Sequence, residues 1–288
     1  MGAKVSLTMY ADNEPAAATA ARAAYNEIAA WDLALSDYLP DSEICALSTK
    51  AQHATAVRPR LAKALQMSIE FNHSSNGVFD CALGQLTKVW RAAFREQRMP
   101  SDASVQWAFD HSGLSHVTWD EATHSVAFDG QEIQLDFGAI GQGLAADAAM
   151  QVLRSHHISC ALIDISGDIL ASDAPPQSNG WVVRVEPEFA SEQVREVKLS
   201  NQALCVSGDR GQPGRIDGKI LSHILNPKNG YPIGWPRQSV VIAQDATTAD
   251  AIATIACIMS VDELKAFEQK YPRVHISIER LPEQDDAH

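Results

Sequence analysis

The sequence predicts an α+β fold, and three observations carry that expectation. Helical patterns crowd the first third of the chain, strand patterns dominate the middle, and they do not settle into the β-α-β alternation of a doubly wound sheet. The chain has 288 residues, 45% hydrophobic and 20% charged, enough to bury a sizeable core as one large or two small domains. No apolar run reaches the ~18 residues of a membrane span.

The elements follow in order. Residues 15–34 are alanine-rich and periodic, with Asp12 or Asn13 placed to cap a helix. Residues 61–71 and 83–95 read as the second and third helices, and 101–109 as a short fourth. Residues 117–119 and 126–128 alternate around a polar turn, which predicts a hairpin. Residues 132–137 continue the sheet, because Ile133 and Leu135 alternate with polar neighbours. Further strands are expected at 161–165, 181–185, 197–199 and 239–243, with a proline-containing loop at 172–180. Helices at 248–259 and 262–270 and a last strand at 274–278 complete the pattern. The chain contains no internal repeat and no low-complexity tract.

Charge and cysteine usage narrow the function. A net charge of -13 argues against a broad nucleic-acid surface, which needs clustered Lys and Arg. Five cysteines, at 45, 81, 160, 205 and 257, form no C-x-x-C pair. That argues against a zinc site and a full disulfide framework, and most are expected to be small buried residues. No basic segment precedes an apolar one as in a signal peptide, so none is expected in this chain.

The segment from Leu135 to Asp147 is the most informative. It reads as a strand, a turn punctuated by Gly138, Gly141 and Gly143, and an alanine-rich helix from Ala145 to Leu153. Glycine lets a backbone approach a ligand closely, and a helix start offers free N–H groups to phosphate oxygens. The spacing is not G-x-G-x-x-G and no Walker lysine follows, so a tight structural connection is the competing reading.

Three other stretches carry chemistry. Ser207-Gly208-Asp209 follows a strand and could expose a hydroxyl and a turn amide. His223 stands at the edge of a loop set by Asn226-Pro227 and Asn229-Gly230, where functional groups are often held, although a lone histidine is more often structural. Asp250 and Thr254 stand one helical turn apart, presenting two hard oxygens on one face to a cation such as Mg²⁺. The alternative is an aspartate favourable to a helix dipole above a buried threonine.

Taken together, these stretches resemble the FAD:protein FMN transferase family, the ApbE-type flavin transferases. The resemblance begins at Met1-Gly2-Ala3 and continues through Ser36-Asp37-Tyr38-Leu39-Pro40-Asp41-Ser42-Glu43-Ile44. Gly77-Val78-Phe79-Asp80, with Gly84, Leu86 and Trp90, follows, and then the glycine turn at 138–143. Ser207-Gly208, Ser222-His223 through Pro227, Gly230, and Ala249-Asp250 through Thr254 complete it in family order.

The resemblance implies an α+β architecture with a mixed-sheet core like the tunnelling fold, helices and an accessory lobe. Residues 1–288 would form a single unit, with two lobes around the FAD site. It implies binding of FAD and Mg²⁺, cleavage of the pyrophosphate, transfer of FMN to a Thr or Ser of an acceptor flavoprotein, and release of AMP. FAD would contact Met1, Tyr38, Val78, Phe79, Asp80, Asp136, Gln142 and the Leu225 backbone. The metal would be held by Asp250, Thr254 and the Ala139 carbonyl, with Ala253 contributing at most its own carbonyl. Tyr38 offers a flat face for the flavin, and His223, titrating near neutrality in its free form, suits a general base on the acceptor hydroxyl.

Three positions depart from the family pattern. Gln142 replaces a residue that is often Lys, sometimes Glu; Ser166 replaces Gly before Gly167-Asp168; and Ala3 replaces Thr. These departures keep two alternatives beside the transferase: an FAD pyrophosphatase giving FMN and AMP, and a non-catalytic FAD-binding protein. The resemblance suggests the cell envelope or periplasm, whereas this chain begins at the family's cofactor-side methionine with no export signal before it.

Overall fold

The computed structural model describes residues 2–48, 53–129, 132–186, 194–209, 214–216, 219–234 and 237–280. The chain opens with strand β1 (Val5–Tyr10) and helix α1 (Glu14–Leu35), followed by helix α2 (Glu43–Ser48) and strand β2 (Thr55–Ala56). Helices α3 (Pro59–Ser74), α4 (Gly84–Glu96) and α5 (Asp102–Asp110) precede the hairpin of β3 (Val117–Asp120) and β4 (Ser125–Phe128). Helix α6 (Gly141–Ser155) leads into β5 (Cys160–Ile165), β6 (Asp168–Ala171), β7 (Trp181–Val185) and β8 (Arg195–Leu199). Then come β9 (Gln202–Gly208), β10 (Gly214–Ile216), β11 (Lys219–Leu221) and β12 (Arg237–Ala243). Helices α7 (Ala246–Ile258) and α8 (Val261–Glu268) and strand β13 (His275–Arg280) complete the order.

Six strands form the main sheet in the order β1-β5-β6-β9-β12-β13. Its ladders are antiparallel throughout, which refines the expected mixed sheet within the α+β class. Period-two alternation divides the central strands between two cores. Ala203, Cys205, Val241 and Ala243 point to the helices, while Leu204, Val206, Val240 and Ile242 point the other way. On the first face, α1, α6 and α7 bury a large apolar layer. On the second, Trp181, Val183, Val185 and Leu199 of the β7–β8 hairpin form a smaller one. A third core joins α4 and α5, through Leu86, Trp90, Val105 and Ala108, to Ile216 of β10.

Several sequence expectations hold closely. Asn13 caps α1, its side chain accepting from Ala16 N at 3.0 Å. The helix expected at 262–270 is α8, which begins at Val261 behind a capping box of Ser260 and Glu263 that the sequence reading does not include. Two expectations need correction. Residues 132–137 join no ladder, and Glu132 has a positive φ of 74°; Ile133, Leu135 and Phe137 alternate into the core, and the backbone bonds go to the segment at 81–84 instead. Asp136 N donates to the Cys81 carbonyl (2.7 Å), and Gly84 N to the Gln134 carbonyl (2.9 Å). Alternation records a two-sided environment, and here the partner is not a strand. The following helix starts at Gly141, not Ala145.

Gly143 also has a different use from the one expected. A Cβ there would lie 2.4 Å from the Ala246 carbonyl oxygen, so this glycine lets α6 and α7 meet. We expect Gly143→Ala to force the helices apart at a cost of about 3 kcal/mol. Thermal unfolding should register a drop of roughly 6–12 °C; a drop under about 2 °C would show that the contact is not tight.

Candidate active site

The helices and sheet leave a cleft of about 1230 Å³. Its lining comes from the start of α6, the second turn of α7, the end of β9, the β5–β6 turn, α4 and the loop at 222–227.

The N-terminus of α7 is pinned from two sides. Asp245 caps it by accepting from Thr248 N (2.8 Å). Asp147 of α6 accepts from Ala246 N and Thr247 N, each at 2.9 Å, and from the Thr247 hydroxyl. These bonds fix Asp250, buried one turn on, whose Oδ2 accepts from Gly143 N (2.9 Å). Thr254 lies one turn further, its hydroxyl 3.5 Å from that of Ser207. Burial pushes the Asp250 carboxyl well above its ordinary value; the Asp168 and Asp147 charges add to that, and the Gly143 N–H opposes it. Burial likewise pushes Asp168 up, to about 7, with Asp164 adding to the rise. With its amide nitrogen toward them, Gln142 donates to Asp168 Oδ2 (3.0 Å) and to the Ile165 carbonyl (2.8 Å). Gln142 thus lines the cleft while bracing Asp168.

Ser166 and Gly167 form the two-residue β5–β6 turn, both with positive φ (52° and 104°). The Ser166 hydroxyl accepts from Lys4 N (2.9 Å), tying this cleft-lining turn to the segment before β1.

Tyr38 stands at the rim, 66% exposed. The Arg91 guanidinium lies 4.5 Å from its ring centroid, a cation–π geometry. Arg91 also pairs with Asp37 and reaches Asp136 Oδ2 at 3.8 Å. Burial lowers the Arg91 pKa, but Asp136 and Asp37 more than offset it and hold the group charged. Asp136 Oδ1 accepts from Gly138 N (2.8 Å), closing the glycine turn on itself.

Val78 and Phe79 are buried residues of the cleft lining, with the Phe79 carbonyl accepting from Asn72 Nδ2 (2.7 Å). Asp80 accepts from Ala82 N (2.8 Å) and Leu114 N (2.9 Å), so both carboxylate oxygens hold the surrounding loops. Burial raises its pKa, against those two N–H bonds. Leu225 bridges to Pro232, and the Gly230 carbonyl accepts from Trp90 Nε1 (2.8 Å), anchoring the loop on α4.

His223 lines the cleft with its side chain 43% exposed. Its Nδ1 lies 3.1 Å from Oδ1 of Asp209, a residue only 1% exposed at the end of β9. The same oxygen accepts from the Ser222 hydroxyl (2.7 Å) and from His223 N (3.1 Å). Burial pushes the Asp209 carboxyl up, but the bonds from His223 and Ser222 together prevail and hold it below the usual carboxylate range.

The structure therefore brings Tyr38, Val78, Phe79, Asp80, Asp136, Ala139, Gln142, His223, Leu225, Asp250 and Thr254 to one cleft. Ala253 is a correction. It is buried away from the cleft lining, and its carbonyl accepts from Ser239 Oγ (2.6 Å), because its helical position turns it toward β12. Met1 lies outside the described residues. Sequence reasoning missed Arg91, Asp147 and the tie from Asp209 to His223. The Ser-Gly-Asp stretch at 207–209 carries a signal for the last in its carboxylate, beyond its hydroxyl and turn amide.

Comparisons with known proteins place the chain in a family and match its fold. A sequence profile of the ApbE family matches residues 1–278. An FAD:protein FMN transferase of Treponema pallidum is 28% identical over 260 residues, covering 84% of this chain and 72% of that protein. Another, from Klebsiella pneumoniae, is 26% identical over 267 residues, covering 91% and 81%. Among solved structures, the ApbE protein of Thermotoga maritima superposes with a TM-score of 0.86 at 24% identity, covering 97% of this chain and 94% of that one. The apo flavinyl transferase ApbE of Pseudomonas stutzeri gives 0.83 at 22% identity, covering 98% and 93%.

Proposed function

The chain belongs to the ApbE family, and from that premise we propose that it is a Mg²⁺-dependent FAD:protein FMN transferase, built as one unit with two lobes around the cleft. The observation that supports this most is the meeting, in one cleft of about 1230 Å³, of an imidazole held by a buried carboxylate and an Asp250–Thr254 oxygen pair. That volume exceeds the roughly 300–1,000 Å³ of ordinary small-ligand sites and suits a dinucleotide beside an acceptor segment.

The donor chemistry fits a hard cation. Asp250, Thr254 and the Ala139 carbonyl would hold Mg²⁺ through oxygen alone. Among the described residues, the charged groups that bear most on Asp250 are other carboxylates, Asp168 and Asp147, so a cation would relieve them. When bound, the ion neutralises phosphate oxygens in the transfer.

The remaining chemistry belongs to this chain's side chains. Tyr38, steadied by Arg91, lies against the flavin, and the backbone at Val78, Phe79 and Leu225 shapes the walls. Asp136 and Gln142 turn polar groups to the FAD. His223 takes the proton from a Thr or Ser hydroxyl of the acceptor protein. The hydroxyl oxygen bonds to the phosphorus of the FMN half, the P–O bond to the adenylate half breaks, and AMP leaves with the electron pair.

The exposure of His223 supports a second reading, in which water replaces the acceptor and the products are FMN and AMP. Incubation with FAD, Mg²⁺ and a flavoprotein domain carrying a Thr or Ser acceptor, read by mass spectrometry, separates the outcomes. Covalent FMN on the acceptor with AMP release is expected. Free FMN and AMP alone would overturn transfer in favour of hydrolysis, and intact FAD would leave a binding protein without turnover.

A further inference from the structure

We propose that Asp209 is a positioning residue that fixes His223 as the Nδ1–H tautomer and leaves Nε2 as the atom that accepts the hydroxyl proton; its catalytic part rests on the transferase reading above. The geometry comes first. One oxygen, Asp209 Oδ1, receives three donors: the Ser222 hydroxyl (2.7 Å), His223 N (3.1 Å) and His223 Nδ1 (3.1 Å). Because the backbone and ring of His223 share that oxygen, the ring cannot turn without losing the second bond. Ser222 Oγ also accepts from Ile224 N (3.0 Å), which ties the residues on both sides of His223 to the same node.

The tautomer follows from the chemistry of the partner. An ionised carboxylate has lone pairs and no proton, so a ring nitrogen at hydrogen-bond distance from it must carry the hydrogen. Nδ1 is therefore the N–H of the neutral ring, and Nε2 has the free lone pair. The other carboxylate oxygen, Oδ2, is buried and has no hydrogen-bond partner among the described residues. Among the described residues, part of this anion's charge is thus uncompensated while the ring is neutral. When Nε2 takes the proton, the ring becomes a cation beside that charge, and the pair is stabilised as transfer proceeds. A buried carboxylate placed only to hold a turn would not need the ring nitrogen.

The test reads the tautomer directly and independently of activity. Long-range ¹H–¹⁵N correlation of the ¹⁵N-labelled chain, with the His223 signals assigned by their loss in His223→Gln, is expected to show Nδ1 protonated and Nε2 bare where the ring is neutral. Asp209→Asn keeps an oxygen for Ser222 and His223 N but also offers an N–H. It should move the ring toward the Nε2–H form, lower kcat by about 10²–10⁴-fold and leave FAD affinity within a few-fold.

An Nε2–H ring in the unaltered protein overturns the assignment whatever the activity. So does an Asp209→Asn variant with unchanged tautomer and unchanged kcat, or one whose only defect is lost FAD affinity. An unaltered chain with the Nδ1–H ring that transfers no FMN overturns the transferase reading instead, and the tautomer assignment stands.

Discussion

Replacing His223 by alanine is expected to slow FMN transfer by about 10²–10⁴-fold, the usual contribution of a general base, while FAD affinity changes by no more than a few-fold. The expectation follows from where the ring sits. It is partly exposed in the cleft wall and held through Nδ1 and its own backbone N–H by Asp209. The backbone bond survives in the alanine variant, and so does the Ser222 bond, so the loop at 222–227 keeps two of its three ties to that oxygen. Of the walls proposed to grip FAD, Leu225 shares the loop of His223, and the rest belong to other elements: Tyr38 with Arg91 at the rim, and the segment at 78–80 held by Asn72 and Ser75. Rate and affinity should therefore separate. Single-turnover transfer under saturating FAD, with Kd from flavin fluorescence, makes the comparison. If both fell together, His223 would be a binding or structural residue; if neither moved, its role as base would be wrong.

The parts of this site that could be read from sequence are those whose chemistry is local. His223 beside an Asn-Pro turn, Asp250 and Thr254 one helical turn apart, and the glycines after Leu135 declare themselves by residue type and spacing. What stayed hidden depends on contacts between distant segments. Asp37 and Arg91, 54 positions apart, meet only because the fold brings α4 beside the segment that follows α1. Asp147 reaches across about a hundred positions to hold the start of α7, and nothing near it in sequence marks that use. Asp209 reads as a turn residue until the fold brings His223 to it.

The fold divides the same way. β12 is legible because its residues 240–243 pack on both faces and form an unbroken apolar run, whereas β1 alternates half-buried and exposed residues at the sheet edge and gives a weaker signal. Ile133 and Leu135 look like a strand because they alternate, yet their neighbours are loop carbonyls and amides. Periodicity reports which side of a chain is buried, not what it pairs with.

The metal reading leads to an expectation in which stability and activity move in opposite directions. Asp250→Asn is expected to abolish Mg²⁺-supported turnover while leaving the apo protein at least as stable as the parent. Asp250 is buried, and the Asp168 and Asp147 charges bear on it. A neutral amide removes that repulsion and the cost of holding a charge away from water, while its oxygen can still accept from Gly143 N. A hard cation bound at Asp250 stabilises the folded chain by mass action, by about 2.7 kcal/mol at a hundredfold excess over its Kd. Added Mg²⁺ should therefore raise the melting temperature of the parent and not that of Asp250→Asn. Thr254→Val, which keeps the carboxylate and loses one neutral oxygen, should retain a reduced shift and reduced turnover. The readout is a Mg²⁺ titration followed by thermal unfolding, run beside the transfer assay. A variant that melts far below the parent would mean that Asp250 is structural, and an Asp250→Asn protein with full Mg²⁺ response and full turnover would remove it from the metal site.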